Sequence, residues 1–256
     1  MIKRLISGCM MLLVSASLYA GTIDPNTPDV KYVEYGAEFK HVVQIVGIKD
    51  DGSAYSGSAV AYKRNIIITA AHLFTNHQSA AVVFDQKTLI ITKVIKYKYF
   101  DPKQKGKHDI AMCLVQGDFG LSWYPTIYTG QRESGSICSL AGYGCTGTFN
   151  TGVIEELGCS KRAGSNTIDY VSDRIIYCSP SIHIKRTELE FMTAIGDSGG
   201  GLFIGNELAG IHSGIQDNGK PGKSRYGSVS MHTRVSAYQD WINATTIRLI
   251  QEEWDE

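Results

Sequence analysis

The chain has 256 residues, 43% of them hydrophobic and 20% charged, with 25 basic side chains against 25 acidic ones. That length and apolar content exclude a disordered chain and suit one large globular domain or two small ones sharing an interface. Balanced charge gives no electrostatic reason for nucleic acid or an anionic membrane as the main partner, so protein or peptide is the expected one.

Lys3 and Arg4 precede an uncharged, mostly apolar run from Leu5 to Leu18. This is the form of a secretory signal, too short to span a bilayer comfortably, so residues 1–20 are expected to be removed and to leave no stable membrane anchor. Cleavage after Ala20 fits, and Val14-Ser15-Ala16 offers a second site. Cys9 stands before most of the apolar run rather than after it, which argues against a lipoprotein signal. Loss of Cys9 leaves Cys113, Cys138, Cys145, Cys159 and Cys178, an odd set in an oxidising compartment. Cys113, in the apolar stretch Ile110–Val115, is expected as the buried unpaired thiol. The other four allow three disulfide pairings. No spacing resembles a zinc site, and nothing requires a metal or an organic cofactor.

After Pro25–Pro28, a linker-like stretch, short runs rich in Val, Ile, Tyr and Thr recur between Gly, Asn, Asp and Ser. In chain order they are Val42–Ile48, Ser58–Tyr62, Ile66–Thr69, Ile90–Tyr97, Ile110–Val115, Ser136–Ala141 and Glu207–Ile211. Many strands joined by tight turns make the fold class all-β. The lysines from Lys93 to Lys107 are expected on a solvated edge strand running into a polar loop rather than in a nucleic-acid patch. Val235, Tyr238, Trp241, Ile242, Thr245 and Leu249 fall at helical spacing and place one amphipathic helix at the C-terminus.

A serine hydroxyl becomes a nucleophile at neutral pH when an imidazole takes its proton and a third group fixes that imidazole's tautomer. Gly196-Asp197-Ser198-Gly199-Gly200 offers the serine on a tight turn that can aim the N–H groups of Gly196 and Ser198 at one point, an oxyanion hole. Thr69-Ala70-Ala71-His72 puts a histidine at the end of an apolar strand, and Asp109 opens another. Ser198, His72 and Asp109 are therefore the candidate nucleophile, base and orienting carboxylate. His41, His77, His108, His183 and His232 carry no comparable context and are read as structural.

In that order these three segments resemble the hallmark sequences of the trypsin/chymotrypsin serine protease family, in a bacterial-type secreted form. Ala141-Gly142-Tyr143-Gly144, Leu208–Ser213 and Thr233–Ile242 match further family segments, and the resemblance runs from Tyr32 to Ile250. It implies two six-stranded antiparallel β-barrels packed at right angles with the triad between them. The N-terminal barrel would span 32–125, the C-terminal barrel 126–234 and the closing helix 235–250. Leu73, Ala194 and Ile204 stand where relatives carry cysteines, so a reduced disulfide set is implied. In the family a freed amino group pairs with the aspartate before the nucleophile, here Asp197. On this basis residues 21–31 would be a propeptide cut after Lys31, making the protein a zymogen with Tyr32 first where Ile or Val is usual.

The resemblance also bears on specificity. Met192 stands where enzymes that cut after Lys or Arg carry an aspartate, so a cation in that pocket would lose its partner. Thr193 and His212 match positions that hydrogen-bond Glu or Gln in some relatives. Ile215, in place of a glycine, would narrow the pocket toward small apolar side chains, and both preferences stay open. Ser213 would match the serine that hydrogen-bonds the triad carboxylate. The implied function is a secreted or periplasmic serine endopeptidase acting on protein or peptide substrates. The alternatives are a catalytically silent binding protein of this fold and an esterase using the same triad.

Overall fold

The computed structural model describes residues 21–104, 106–154, 160–181, 185–217 and 224–255. In chain order the elements are β1 (Gly21–Ile23), α1 (Asp29–Glu38), β2 (Val42–Lys49), β3 (Ala54–Lys63), β4 (Ile66–Thr69), β5 (His77–Phe84), β6 (Lys87–Lys96), β7 (Ala111–Val115), β8 (Thr126–Ile127) and β9 (Ile137–Gly142). There follow β10 (Thr146–Thr148), β11 (Gly152–Val153), β12 (Arg162–Val171), β13 (Ile175–Cys178), β14 (Phe191–Met192), β15 (Gly201–Ile204), β16 (Glu207–Gln216), β17 (Val229–Arg234) and α2 (Gln239–Asp255).

Six of these close a first barrel in the order β2-β3-β4-β7-β6-β5. Its β4 and β7 are buried along their whole length, which is why Ile66–Thr69 and Ala111–Val115 are continuous apolar runs instead of alternating ones. Ile66, Ile67 and Ile68 are fully buried, and each contributes roughly 1.5–3 kcal/mol of burial free energy. The second barrel runs β15-β9-β12-β13-β17-β16 and closes through the β15–β16 pairing, with β8 added in parallel to β16. The all-β class and the two six-stranded antiparallel barrels are as expected.

Three features differ from the sequence reading. β6 is hydrogen-bonded on both sides, to β5 and β7, so its lysines decorate the outside of a closed barrel and blunt no edge. The C-terminal helix is preceded by a 3-10 turn at Val235–Tyr238 and extends to Asp255. Residues 21–31, expected as a propeptide, and 32–38, expected to open the first barrel, instead lie against the second. Here β1 joins a four-stranded sheet, β11-β10-β1-β14, and α1 packs on β12. Gly36 explains the closeness of that packing, since a Cβ there would lie 2.8 Å from the Lys161 carbonyl and 2.9 Å from Arg162 Cα.

One continuous core joins the barrels, running from Ile66 and Cys113 through Phe203 and Ile211 to Ile242 and Leu249 of α2. Cys113 is a buried thiol, as expected, and burial pushes it far above its ordinary range. Cys138 and Cys178 are also buried thiols, on strands either side of β12, and burial beside Cys138 raises Cys178 well above its ordinary value. Cys159 and His183 lie outside the described residues. Among the described residues no helix is long and apolar enough to cross a membrane.

Candidate active site

β4 ends at Thr69, and the chain turns through a short 3-10 segment, Ala71–Phe74, that carries His72 out of the first barrel toward the second. Asp109 immediately precedes the buried Ile110 and β7, after His108 in a left-handed conformation (φ 58°) that brings the carboxylate inward. Because β4 and β7 are hydrogen-bonded partners, the two side chains meet. His72 Nδ1 lies 2.6 Å from Asp109 Oδ2, and the His72 backbone N–H donates to Oδ1 at 2.8 Å. Ser213 Oγ donates to Oδ2 as well, and Thr233 Oγ1 donates to the Asp109 carbonyl at 2.9 Å.

This wiring fixes the chemistry of His72. A carboxylate receiving three donors accepts only, so Nδ1 carries the proton and Nε2 keeps its lone pair. Asp109 is 3% exposed while the His72 side chain is 34% exposed. The oriented imidazole therefore faces an open cleft. That cleft, a cavity of about 260 Å³, is lined by His72 with Phe100, Pro102, Ser213, Gly214 and Ile215 among its walls.

The turn carrying Ser198 is docked against the strand end that carries His72. Ser198 accepts from the Ser58 N–H at 2.8 Å. A Cβ on Gly199 would lie 2.1 Å from both Ser58 O and Thr69 Oγ1, so only glycine permits this approach, and its φ of 87° adds a second reason. Within the turn Asp197 N donates to Ala194 O, Gly199 N to His212 O and Gly200 N to Asp197 O. None of these backbone bonds begins at the N–H of Gly196 or Ser198, the two groups expected to receive an oxyanion.

Ser58 was missed by sequence reasoning as anything but a strand residue. It is fully buried, accepts from Tyr143 N–H at 2.9 Å and donates to the Gly196 carbonyl at 3.0 Å. It thus fixes the peptide that follows Gly196 from the opposite barrel. Asp197, also fully buried, accepts from the N–H groups of Gly144 and Ala194 at 2.8 Å each.

The expected pocket residues divide. Ile215 and Ser213 line the cleft beside His72. Met192 and Thr193 are buried, the Thr193 carbonyl held by Ser224 Oγ at 2.8 Å. His212 is 1% exposed and bonded through Nδ1 to His232 Nδ1 at 2.9 Å, while His232 Nε2 meets Ser230 Oγ at 3.0 Å. His232, read as structural, is therefore the partner of His212, which was expected in the pocket. Burial and the neighbouring imidazole hold His212 well below the ordinary histidine value, and burial brings His232 down to about 3, so both rings are neutral.

A family model described as Trypsin matches residues 36–242. The chain belongs to the trypsin family. As a trypsin-family protein it is a serine endopeptidase, a hydrolase whose substrates are proteins or peptides. Solved structures share the family fold at low identity. One of HL collagenase superposes with a TM-score of 0.65 at 16% identity, covering 83% of this chain and 95% of that one. One of neuropsin, a serine protease expressed in the limbic system of mouse brain, gives 0.63 at 17%, covering 79% and 93%. A structure of GrC gives 0.63 at 16%, covering 82% and 96%. A search of curated protein sequences finds no match.

Proposed function

We propose that this endopeptidase is an exported, bacterial-type enzyme that cuts through a Ser198–His72–Asp109 triad after uncharged residues. The observation that carries the proposal is the three-donor wiring of Asp109, which leaves His72 Nε2 as a bare lone pair on a side chain that lines the open cleft. Ser198 Oγ attacks the scissile carbonyl and passes its proton to Nε2. The oxyanion is received by the N–H groups of Gly196 and Ser198. Collapse expels the amine, which takes the proton from Nε2, and water then hydrolyses the acyl-enzyme by the same route.

Three features support an uncharged side chain before the cut. Met192 offers no counter-charge for Lys or Arg, and burying that cation alone is costly. A neutral His212 can exchange a hydrogen bond with an amide or a protonated acid, yet cannot neutralise a carboxylate. Ile215 narrows the cleft wall. The preferred residue is thus Gln or a small to medium apolar one, with Glu accepted only when protonated. The signal-like residues 1–20 support export to a periplasm or out of the cell. Cys113, Cys138 and Cys178 standing as thiols support the sparse disulfide set of a bacterial-type member.

Cleavage-site profiling of a peptide library, with Ser198→Ala alongside, tests both levels. Cuts that vanish in the variant and follow Gln or apolar residues are expected. Cuts after Lys or Arg would refute the specificity, and undiminished cutting by Ser198→Ala would refute the triad. A matched ester turned over with no peptide cleaved would establish the esterase alternative instead.

A further inference from the structure

The lysines from Lys93 to Lys107 have no part in the mechanism. Residues 93–108 hold six lysines and one aspartate in a chain whose formal net charge is zero. Protection of a sheet edge does not account for them, because β6 is paired on both sides. Like charges this close repel one another, and a partner of opposite sign would relieve that repulsion. Lys96 donates to the Phe74 carbonyl at 3.3 Å, and Lys98 Nζ lies 4.7 Å from the centre of the Tyr99 ring. Lys98, Lys103 and Lys107 are exposed, and among the described residues no carboxylate forms an ion pair with them. The aspartate of the stretch, Asp101, is engaged within the loop, accepting from the Lys103 N–H at 2.9 Å and the Gln104 side chain at 3.1 Å.

The loop after β6 has two faces. Phe100, Pro102, Gln104 and Gly106 line the cleft beside His72, while Lys103 and Lys107 alternate with them along the chain and stand exposed. Tyr97 and His108, where the loop begins and ends, join it to a second recess. That recess, of about 310 Å³, lies between Tyr97, Arg174 and Trp241. Arg174 donates to the Ala237 carbonyl at 2.7 Å and lies 5.2 Å from the centre of the Tyr238 ring. The His108 ring stacks on Tyr97 at 5.3 Å and meets the Tyr238 hydroxyl at 3.1 Å. Burial, and then the positive charges of Arg174 and Lys107, hold His108 below its ordinary value. The ring thus reports a positive field on this side of the loop. The acidic groups here are Asp240, which lines the recess, and the exposed Asp173 beside Arg174. Lys98, Lys103, Lys107 and Arg174 outnumber them.

We propose that this face of the loop is a docking surface for an acidic segment of the protein substrate, lying ahead of the bond that is cut. The inference deepens the endopeptidase reading and rests on it for direction. With the residue before the cut against Ile215, the chain ahead of it lies along the wall that Ile215 shares with Phe100 and Pro102. A chain leaving the cleft over that wall meets Lys103, which stands between Pro102 and Gln104. Beside it the Tyr99 ring, 60% exposed under the Lys98 ammonium, offers an apolar surface to the aliphatic stem of a glutamate. Zero net charge favours a short acidic segment over a long polyanion, which would run on into carboxylates elsewhere on the surface. Exposed ion pairs contribute little singly, but several together raise capture of the substrate, so the effect belongs in KM rather than kcat.

The test uses peptides that share one cleavable core, extended ahead of the cut by a run of Glu, ahead of it by a run of Gln, or after it by the same Glu run. The ratio of kcat/KM for the Glu-extended to the Gln-extended peptide is read within each protein, so the fraction of active enzyme cancels. At about 0.01 M salt the native ratio is expected to be about 10, carried by KM, and to fall toward one at about 1 M. Lys98→Glu, Lys103→Glu and Lys107→Glu combined should bring it to one or below, and Lys98→Arg, Lys103→Arg and Lys107→Arg combined should keep it. A native ratio near one, a ratio that survives the three charge reversals, or an equal gain from the Glu run after the cut would overturn the inference. So would salt-sensitive binding of dextran sulfate with no gain for the Glu peptide, which would give the lysines to a polyanion. Should no peptide be cut, the protease reading fails separately. Fluorescence anisotropy of the labelled Glu-extended peptide with Ser198→Ala then upholds the surface if binding is lost on charge reversal, and overturns it if there is no binding.

Discussion

Ser58→Ala removes a hydroxyl that never touches substrate, yet the structure requires it to slow the reaction. The hydroxyl makes two buried bonds, to the Gly196 carbonyl at 3.0 Å and from the Tyr143 N–H at 2.9 Å. Its loss strands both partners away from water. At about 1–2 kcal/mol for each orphaned group, the destabilisation is about 2–4 kcal/mol. For a domain of this size that lowers Tm by roughly 5–12 °C. The carbonyl belongs to the peptide between Gly196 and Asp197, so losing its anchor frees the turn whose N–H groups are proposed to receive the oxyanion. A loss of about 1.4 kcal/mol of transition-state stabilisation is a tenfold fall in kcat. KM should hardly change, because the ground-state substrate does not call on those donors. Steady-state kinetics well below the variant's Tm separates the two effects. A lower Tm with kcat intact would refute the assignment of Ser58 as a positioning residue.

Ser213→Ala deletes one of three donors to Asp109 and should lower kcat about tenfold at constant KM, read in the same assay. Lys161 donates to the carbonyls of Phe39 at 2.6 Å and Val42 at 3.0 Å, and burial brings its ammonium down to about 8. With the folded value below the unfolded one near 10.4, the unfolded chain binds more protons between them, so stability should rise with pH from about 8 to 10. The gain is about 2–3 kcal/mol, and urea unfolding at both pH values should show it in the native protein and lose it in Lys161→Met. Gly36→Ala forces a Cβ against the backbone of β12 and should cost about 1–3 kcal/mol, visible as a lower Tm.

The first barrel and the turn that carries Ser198 were legible because their information is local. Ile66–Thr69 and Ile110–Val115 are strands by composition alone, and the glycines around Ser198 state a tight turn without help from distant residues. What was not legible depends on partners far along the chain. Ser58 gains its role from residues 85 and 138 positions away. His232 does so from His212, which only the β16–β17 register brings opposite it. α1 escaped notice because Asp29–Glu38 mixes β-branched residues with Gly36 and buries only Tyr32 and Gly36. Tertiary ties, the Arg162 fork and the Tyr32 hydroxyl among them, hold it where propensity would not. In the same segment Lys31-Tyr32 has the look of a processing site, and the burial of Tyr32 could not be read from the sequence.

The chain's course between the barrels has a mechanical meaning. β1 and α1 begin on the second barrel, β2–β7 build the first, β8–β17 return to complete the second, and α2 comes back to rest on β7 of the first. Each half is strapped by an end of the chain that leads away from it, as two halves of a parcel are tied by one crossed cord. Neither barrel can be excised as a working unit, and prising the cleft open means undoing a terminal strap first.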